Sequence, residues 1–178
     1  PLADHPAWSP SGLVQAGRVN GVAMTPADLD ALEQAYVRAA LDAQRLGASG
    51  VEVHAAHGYL MDQFLWSGTN QRRDHYGGAT LAERTRYPAR IVAAIRAAVG
   101  PEFPISIRFS PIKEVDYGAR IAETPEELRD MVRLLRAAGA AFGELRDAVI
   151  AAVQQRAARK IALQSFVHMH ALSLRFHL

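Results

Sequence analysis

At 178 residues the chain is long enough for one domain with a buried core, and its 49% apolar and 21% charged residues are ordinary for a globular protein. A formal net charge of +2 is too small to argue for nucleic acid, and the pI of about 9.3 comes from arginines spread along predicted helices rather than from a basic block. The lack of cysteine excludes a disulfide framework and any thiolate metal site, and no apolar run reaches the roughly 18 residues of a membrane span.

These features fit a cytoplasmic protein, and no signal peptide is visible. The first residue is Pro1 rather than Met, which reads as a processed or excised piece.

Residues 1–24 are rich in Pro, Gly and Ser and read as loop, with Trp8 expected to anchor it to the body. Thr25, Pro26 and Asp28 then spell a helix start: cap, first-turn proline and capping box. Leu29, Leu32, Tyr36, Ala39, Ala43 and Leu46 recur at helical spacing, and Gly47 ends the run.

A short strand, Gly50–His54, follows. Val51 and Val53 face one side; Glu52 and His54 face the other, because strand side chains alternate. An α/β protein places its ligand at the carboxyl ends of such strands. His54 is therefore the last rung, with His57 and Tyr59 in the loop above it. Two imidazoles can donate to one ligand oxygen, and a phenol beside them can hand over a proton.

Residues 55–78 form a long loop whose aromatics (Tyr59, Phe64, Trp66 and Tyr76) argue for an ordered lid with a flexible exit at Gly77–Gly78. Thr80 and Glu83 repeat the capping-box spacing before a second helix with Tyr87, Ile91, Ile95 and Ala98 inward and Gly100 as its stop. The second strand, Pro104–Ser110, sets Ile105, Ile107 and Phe109 against Ser106, Arg108 and Ser110. A charge midway along a strand needs a partner. Glu52, on the matching face of the neighbouring strand, is one candidate. Thr124-Pro125-Glu126-Glu127 opens a third helix with Leu128, Met131, Leu135 and Ala138 inward, ending at Gly139. The arginines of these helices read as solvated faces. Strand–helix alternation at these lengths means βαβ units and a parallel sheet.

The run VEVHAAHGYLMDQFL, then TNQRRDHYGG, then an Arg-bearing helix start, resembles the old yellow enzyme family of flavin-dependent ene-reductases; the resemblance spans roughly residues 10–138. It implies an α/β fold, part of a (β/α)8 TIM-type barrel with parallel strands, built from residues 1–139. It implies that His54 and His57 hold the substrate carbonyl or a phenolic ligand, that Tyr59 is the proton donor, and that Arg108 lies against the pyrimidine edge of the flavin. The implied activity is reduction of the C=C bond of α,β-unsaturated carbonyl compounds, with FMN as cofactor and NAD(P)H as reductant.

Read without the family, the H-x-x-H spacing also fits a buried structural pair or two ligands of a metal lacking a third. After Gly139 the expected third strand does not come. An Ala-rich helix over 144–163 and an irregular tail, 164–178, are predicted instead, with His168, His170 and His177 a stray cluster. A full barrel takes about 250 residues, so the sequence reads as its middle. Exposed strand edges and apolar backs then predict a homo-oligomer or docking with a complementary barrel fragment. A non-catalytic scaffold unable to hold flavin is the second functional class.

Overall fold

The computed structural model describes residues 7–19, 21–113 and 116–140. The helix and tail expected over 144–178, with their three histidines, lie outside the described residues.

Within residues 7–19 and 21–24, expected as loop, four short strands pair. Strand β1 (Trp8–Ser9) runs parallel to β4 (Val22–Ala23), and β2 (Leu13–Gln15) pairs antiparallel with β3 (Arg18–Val19). Trp8 is not the anchor expected of it, for it is 43% exposed. The segment is held by buried Met24 and by Arg72, whose Nη1 donates to Pro10 O at 2.8 Å and Met24 O at 2.7 Å.

Helix α1 (Pro26–Arg45) starts in the predicted capping box, with Thr25 Oγ1 accepting from the Asp28 amide and the Asp28 carboxylate accepting from Thr25 N. Leu29 is buried, but Leu46, expected in the buried stripe, is the exposed C-cap. Strand β5 (Val51–Ala55) then pairs in parallel with β6 (Ile105–Phe109), the register placing Glu52 opposite Ser106 and His54 opposite Arg108. Val53, Ala55, Ile105 and Ile107 are buried on one face of this sheet, each branched side chain contributing about 1.5–3 kcal/mol of burial.

The segment after β5 is not a lid. It contains the short helix α2 (Leu60–Leu65), whose Met61, Phe64 and Leu65 are core, and it continues through buried Trp66, Thr69 and Asn70. Asn70 Nδ2 donates to the carbonyls of Phe64 and Tyr76, both at 2.8 Å, so the loop closes on itself. Gly77 serves close approach rather than flexibility: a Cβ there would sit 1.9 Å from Arg72 O.

Helix α3 (Leu81–Val99) carries both halves of its capping box between Thr80 and Glu83. Its buried face includes Tyr87, Ile91, Val92 and Ile95 and packs on α1, where Tyr87 Oη donates to Leu29 O at 2.8 Å. Arg86 lies on the solvated face as expected, but the other three arginines of the helix do not. Arg90 spans to Asp30 and Glu33 of α1; Arg96 donates to the carbonyls of Gly100, Phe103 and Gly139; Arg84 is buried.

A hairpin, β7 (Ile112–Lys113) with β8 (Asp116–Arg120), leaves β6 and leads into α4 (Pro125–Ala137). Only half of a capping box forms at the start of α4. Thr124 Oγ1 accepts from Glu127 N, while the Glu127 carboxylate accepts from the Glu123 amide instead. Because the Thr80 cap satisfies a backbone donor that would otherwise face only water, Thr80→Ala is expected to cost about 1 kcal/mol. Thermal unfolding should then shift down by about 2–4 °C.

Candidate active site

The site grows from the carboxyl end of β5. Alternation sends Val53 into the core and Glu52 and His54 to the opposite face. Parallel pairing brings Arg108 beside His54, and Arg108 Nε donates to Glu52 Oε1 at 2.9 Å. The pairing with Glu52 anticipated from the strand pattern is thus made. The Arg108 side chain remains about one-third exposed, and its two Nη groups have no hydrogen-bond partner among the described residues. A guanidinium held through its Nε, with both Nη groups left to donate, could hold an electron-rich ring edge such as that of a flavin.

Beyond Ala55 the chain turns sharply. Tyr59 N donates to Ala56 O at 3.3 Å across His57 and Gly58, which both have positive φ, 60° and 76°. Two positive φ values at the centre of a turn mark type I′. Glycine reaches that region freely, whereas a non-glycine residue there costs of order 1–3 kcal/mol and persists only where its surroundings over-determine it.

The surroundings do so here. Asp62 Oδ2 accepts from Gly58 N at 2.9 Å, and Gln63 Nε2 donates to Gly58 O at 2.8 Å, so helix α2 clamps both sides of the turn. The result brings the three expected side chains together. The His54 and His57 rings lie 5.2 Å apart, and the His54 and Tyr59 rings 5.1 Å apart. Tyr59 is 63% exposed, so its hydroxyl is open to a ligand. Two imidazoles and a phenol at one strand end can bind a carbonyl oxygen and supply a proton.

Sequence reasoning missed the residues behind this rim. Asp62 and Lys113, each at least 97% buried, form an ion pair with Lys113 Nζ 2.5 Å from Asp62 Oδ1. The ammonium also lies 5.7 Å from the centre of the Trp66 ring. Burial pulls the Lys113 ammonium below the usual lysine range, and the neighbouring Asp62 carboxylate opposes that pull. With His57, Gly58 and Gln63 this pair borders a cavity of about 180 Å³. The available signal was a charge inside an apolar run, Met61-Asp62-Gln63-Phe64-Leu65; nothing local ties it to Lys113. Among the described residues no group of three or more His, Cys, Asp or Glu side chains could hold a metal.

The NADH:flavin oxidoreductase / NADH oxidase family model matches residues 6–175. NADH oxidase of Thermoanaerobacter brockii is 39% identical over 116 residues, which are 65% of this chain and 17% of that protein. 12-Oxophytodienoate reductase 7 of Oryza sativa subsp. japonica is 36% identical over 88 residues, 49% of this chain and 22% of that protein. The solved old yellow enzyme homologue of Zymomonas mobilis superposes with a TM-score of 0.65 at 28% identity, over 79% of this chain and 41% of that one. The chain thus spans less than a quarter of these curated relatives and about two-fifths of the solved barrel. Its β5–α3–β6–α4 order, with the parallel register between strands, is part of that barrel. By that family match over residues 6–175 and the shared barrel fold, the chain belongs to the NADH:flavin oxidoreductase / NADH oxidase family and is similar in fold and sequence to a solved old yellow enzyme homologue.

Proposed function

We propose that this chain carries the substrate-binding and proton-donating wall of an FMN-dependent reductase of α,β-unsaturated carbonyl compounds, working in the cytoplasm. The observation that carries the reading is the convergence of His54, His57 and Tyr59 beside Arg108. The two imidazoles donate to the carbonyl oxygen and stabilise the negative charge that develops on it. Tyr59 delivers its proton to the α-carbon, and Arg108 would help hold the flavin ring. When bound, FMN would supply the hydride for the β-carbon, drawn in turn from NAD(P)H. The rice relative's name, a reductase of an oxo-dienoate, supports this substrate class.

The outer edges of β5 and β6 have no strand partner among the described residues. Open edges pair with other strands, which supports completion of the barrel by a complementary fragment or by a second copy of the chain.

A non-catalytic scaffold is the second reading. It is favoured by the fact that, among the described residues, the flavin is offered Arg108 alone, whereas such barrels grip the phosphate through loops after strands seven and eight. Purifying the chain with FMN separates the two. The enzyme reading expects a yellow protein that consumes NAD(P)H when given 2-cyclohexen-1-one; a chain that stays colourless at saturating FMN sinks it.

A further inference from the structure

The Asp62–Lys113 pair calls for an explanation beyond stability. A buried ion pair is expensive to desolvate, and apolar residues of similar volume commonly serve as well or better. What apolar residues cannot do is use two oxygens at once. Asp62 Oδ1 accepts from Lys113 Nζ at 2.5 Å while Oδ2 accepts from the Gly58 amide at 2.9 Å. Gly58 follows His57 directly, and both carry positive φ. The carboxylate thus joins the β7 strand to the turn that presents His57, and the Trp66 ring beneath the ammonium restrains where the charge can sit. Gln63 Nε2 steadies the Gly58 carbonyl at 2.8 Å but leaves the amide to Asp62 alone among the described residues.

We propose that Asp62 and Lys113 are positioning residues for His57: Lys113 orients the Asp62 carboxylate, Asp62 holds the Gly58 amide, and the clamped turn fixes the imidazole beside His54. Neither side chain is assigned contact with substrate. The inference rests on the reading above, in which His57 binds a carbonyl oxygen. It extends that reading from the rim to a buried pair that links residues 51 positions apart in sequence.

Two double variants of the full chain separate positioning from stability. D62N/K113M removes both charges and keeps a carbonyl that can accept from Gly58; D62L/K113M removes the acceptor as well. Gly58 amide exchange and the His57 ring resonances are read by NMR, beside thermal midpoints. FMN-loaded protein is assayed with NADH or NADPH and 2-cyclohexen-1-one.

In D62L/K113M the Gly58 amide should exchange about tenfold faster than in D62N/K113M, as loss of one hydrogen bond requires. The His57 resonances should move, and kcat/KM for the enone should fall by about a hundredfold with flavin reduction unchanged. Equal Gly58 exchange and equal His57 resonances in the two doubles overturn the proposal, whatever the activities. Altered exchange and resonances in a chain whose wild type reduces no enone would instead sink the functional reading and leave the clamp standing. Should D62L/K113M not fold, D62A/K113M takes its place: with no side-chain acceptor left, Gly58 should exchange faster than in D62N/K113M, and equal exchange refutes the clamp.

Discussion

Tyr59→Phe is expected to slow enone reduction by about 10²–10⁴-fold, the usual contribution of a positioned general acid, while reduction of flavin by NAD(P)H keeps its rate. The substitution is almost silent for the fold. Tyr59 is the N-cap of α2 but makes no side-chain cap hydrogen bond, and its ring is largely exposed. Phe preserves the ring that lies 5.1 Å from His54. What it removes is the only O–H on the rim formed with His54 and His57. Rapid mixing resolves the two half-reactions. Equal slowing of both would mean that the ring shapes the flavin pocket and that the proton comes from elsewhere. Unchanged rates in both would assign the proton to solvent.

The largest stability effect is expected at Arg84, which is only 4% exposed. Its Nε donates to Leu65 O at 2.9 Å, its Nη1 to Ala79 O at 2.6 Å and Gly78 O at 3.2 Å, and its Nη2 reaches Ile121 O at 3.4 Å. One guanidinium thus ties the end of α2, the entry to α3 and the segment after β8. Burial pulls Arg84 below the ordinary arginine range, opposed by the charges of Glu127 and Glu83.

Arg84→Met keeps the aliphatic stem but leaves those carbonyls unsatisfied. With about 1.5–3 kcal/mol for each well-formed charged hydrogen bond, the two short ones put the loss at about 3–6 kcal/mol, a large share of a typical domain's roughly 5–15 kcal/mol. Urea unfolding measures it: the midpoint should fall with little change in slope. Arg129→Met is the control, since Arg129 makes an exposed pair with Glu126 and such pairs are worth about 0–1 kcal/mol. Midpoints that fall equally for the two variants would show that the carbonyl network carries no net stability.

What the sequence determined by itself is local. Thr25 with Asp28 and Thr80 with Glu83 announce their helices because a capping box closes within four residues. The alternation in VEVHA and ISIRF announces strands because side chains there repeat every two residues. His54, His57 and Tyr59 were legible as a group because six consecutive residues hold them. Tertiary structure alone decided the rest. Met61-Asp62-Gln63-Phe64-Leu65 looked like part of a lid because an apolar run of that length does not say what it packs against. Arg84 looked solvated because its acceptors, Leu65 and Ile121, lie 19 and 37 residues away. Lys113 meets Asp62 only after β6 has paired with β5 and the hairpin has turned back. A buried charge is defined by its partner, and its partner is chosen by the fold.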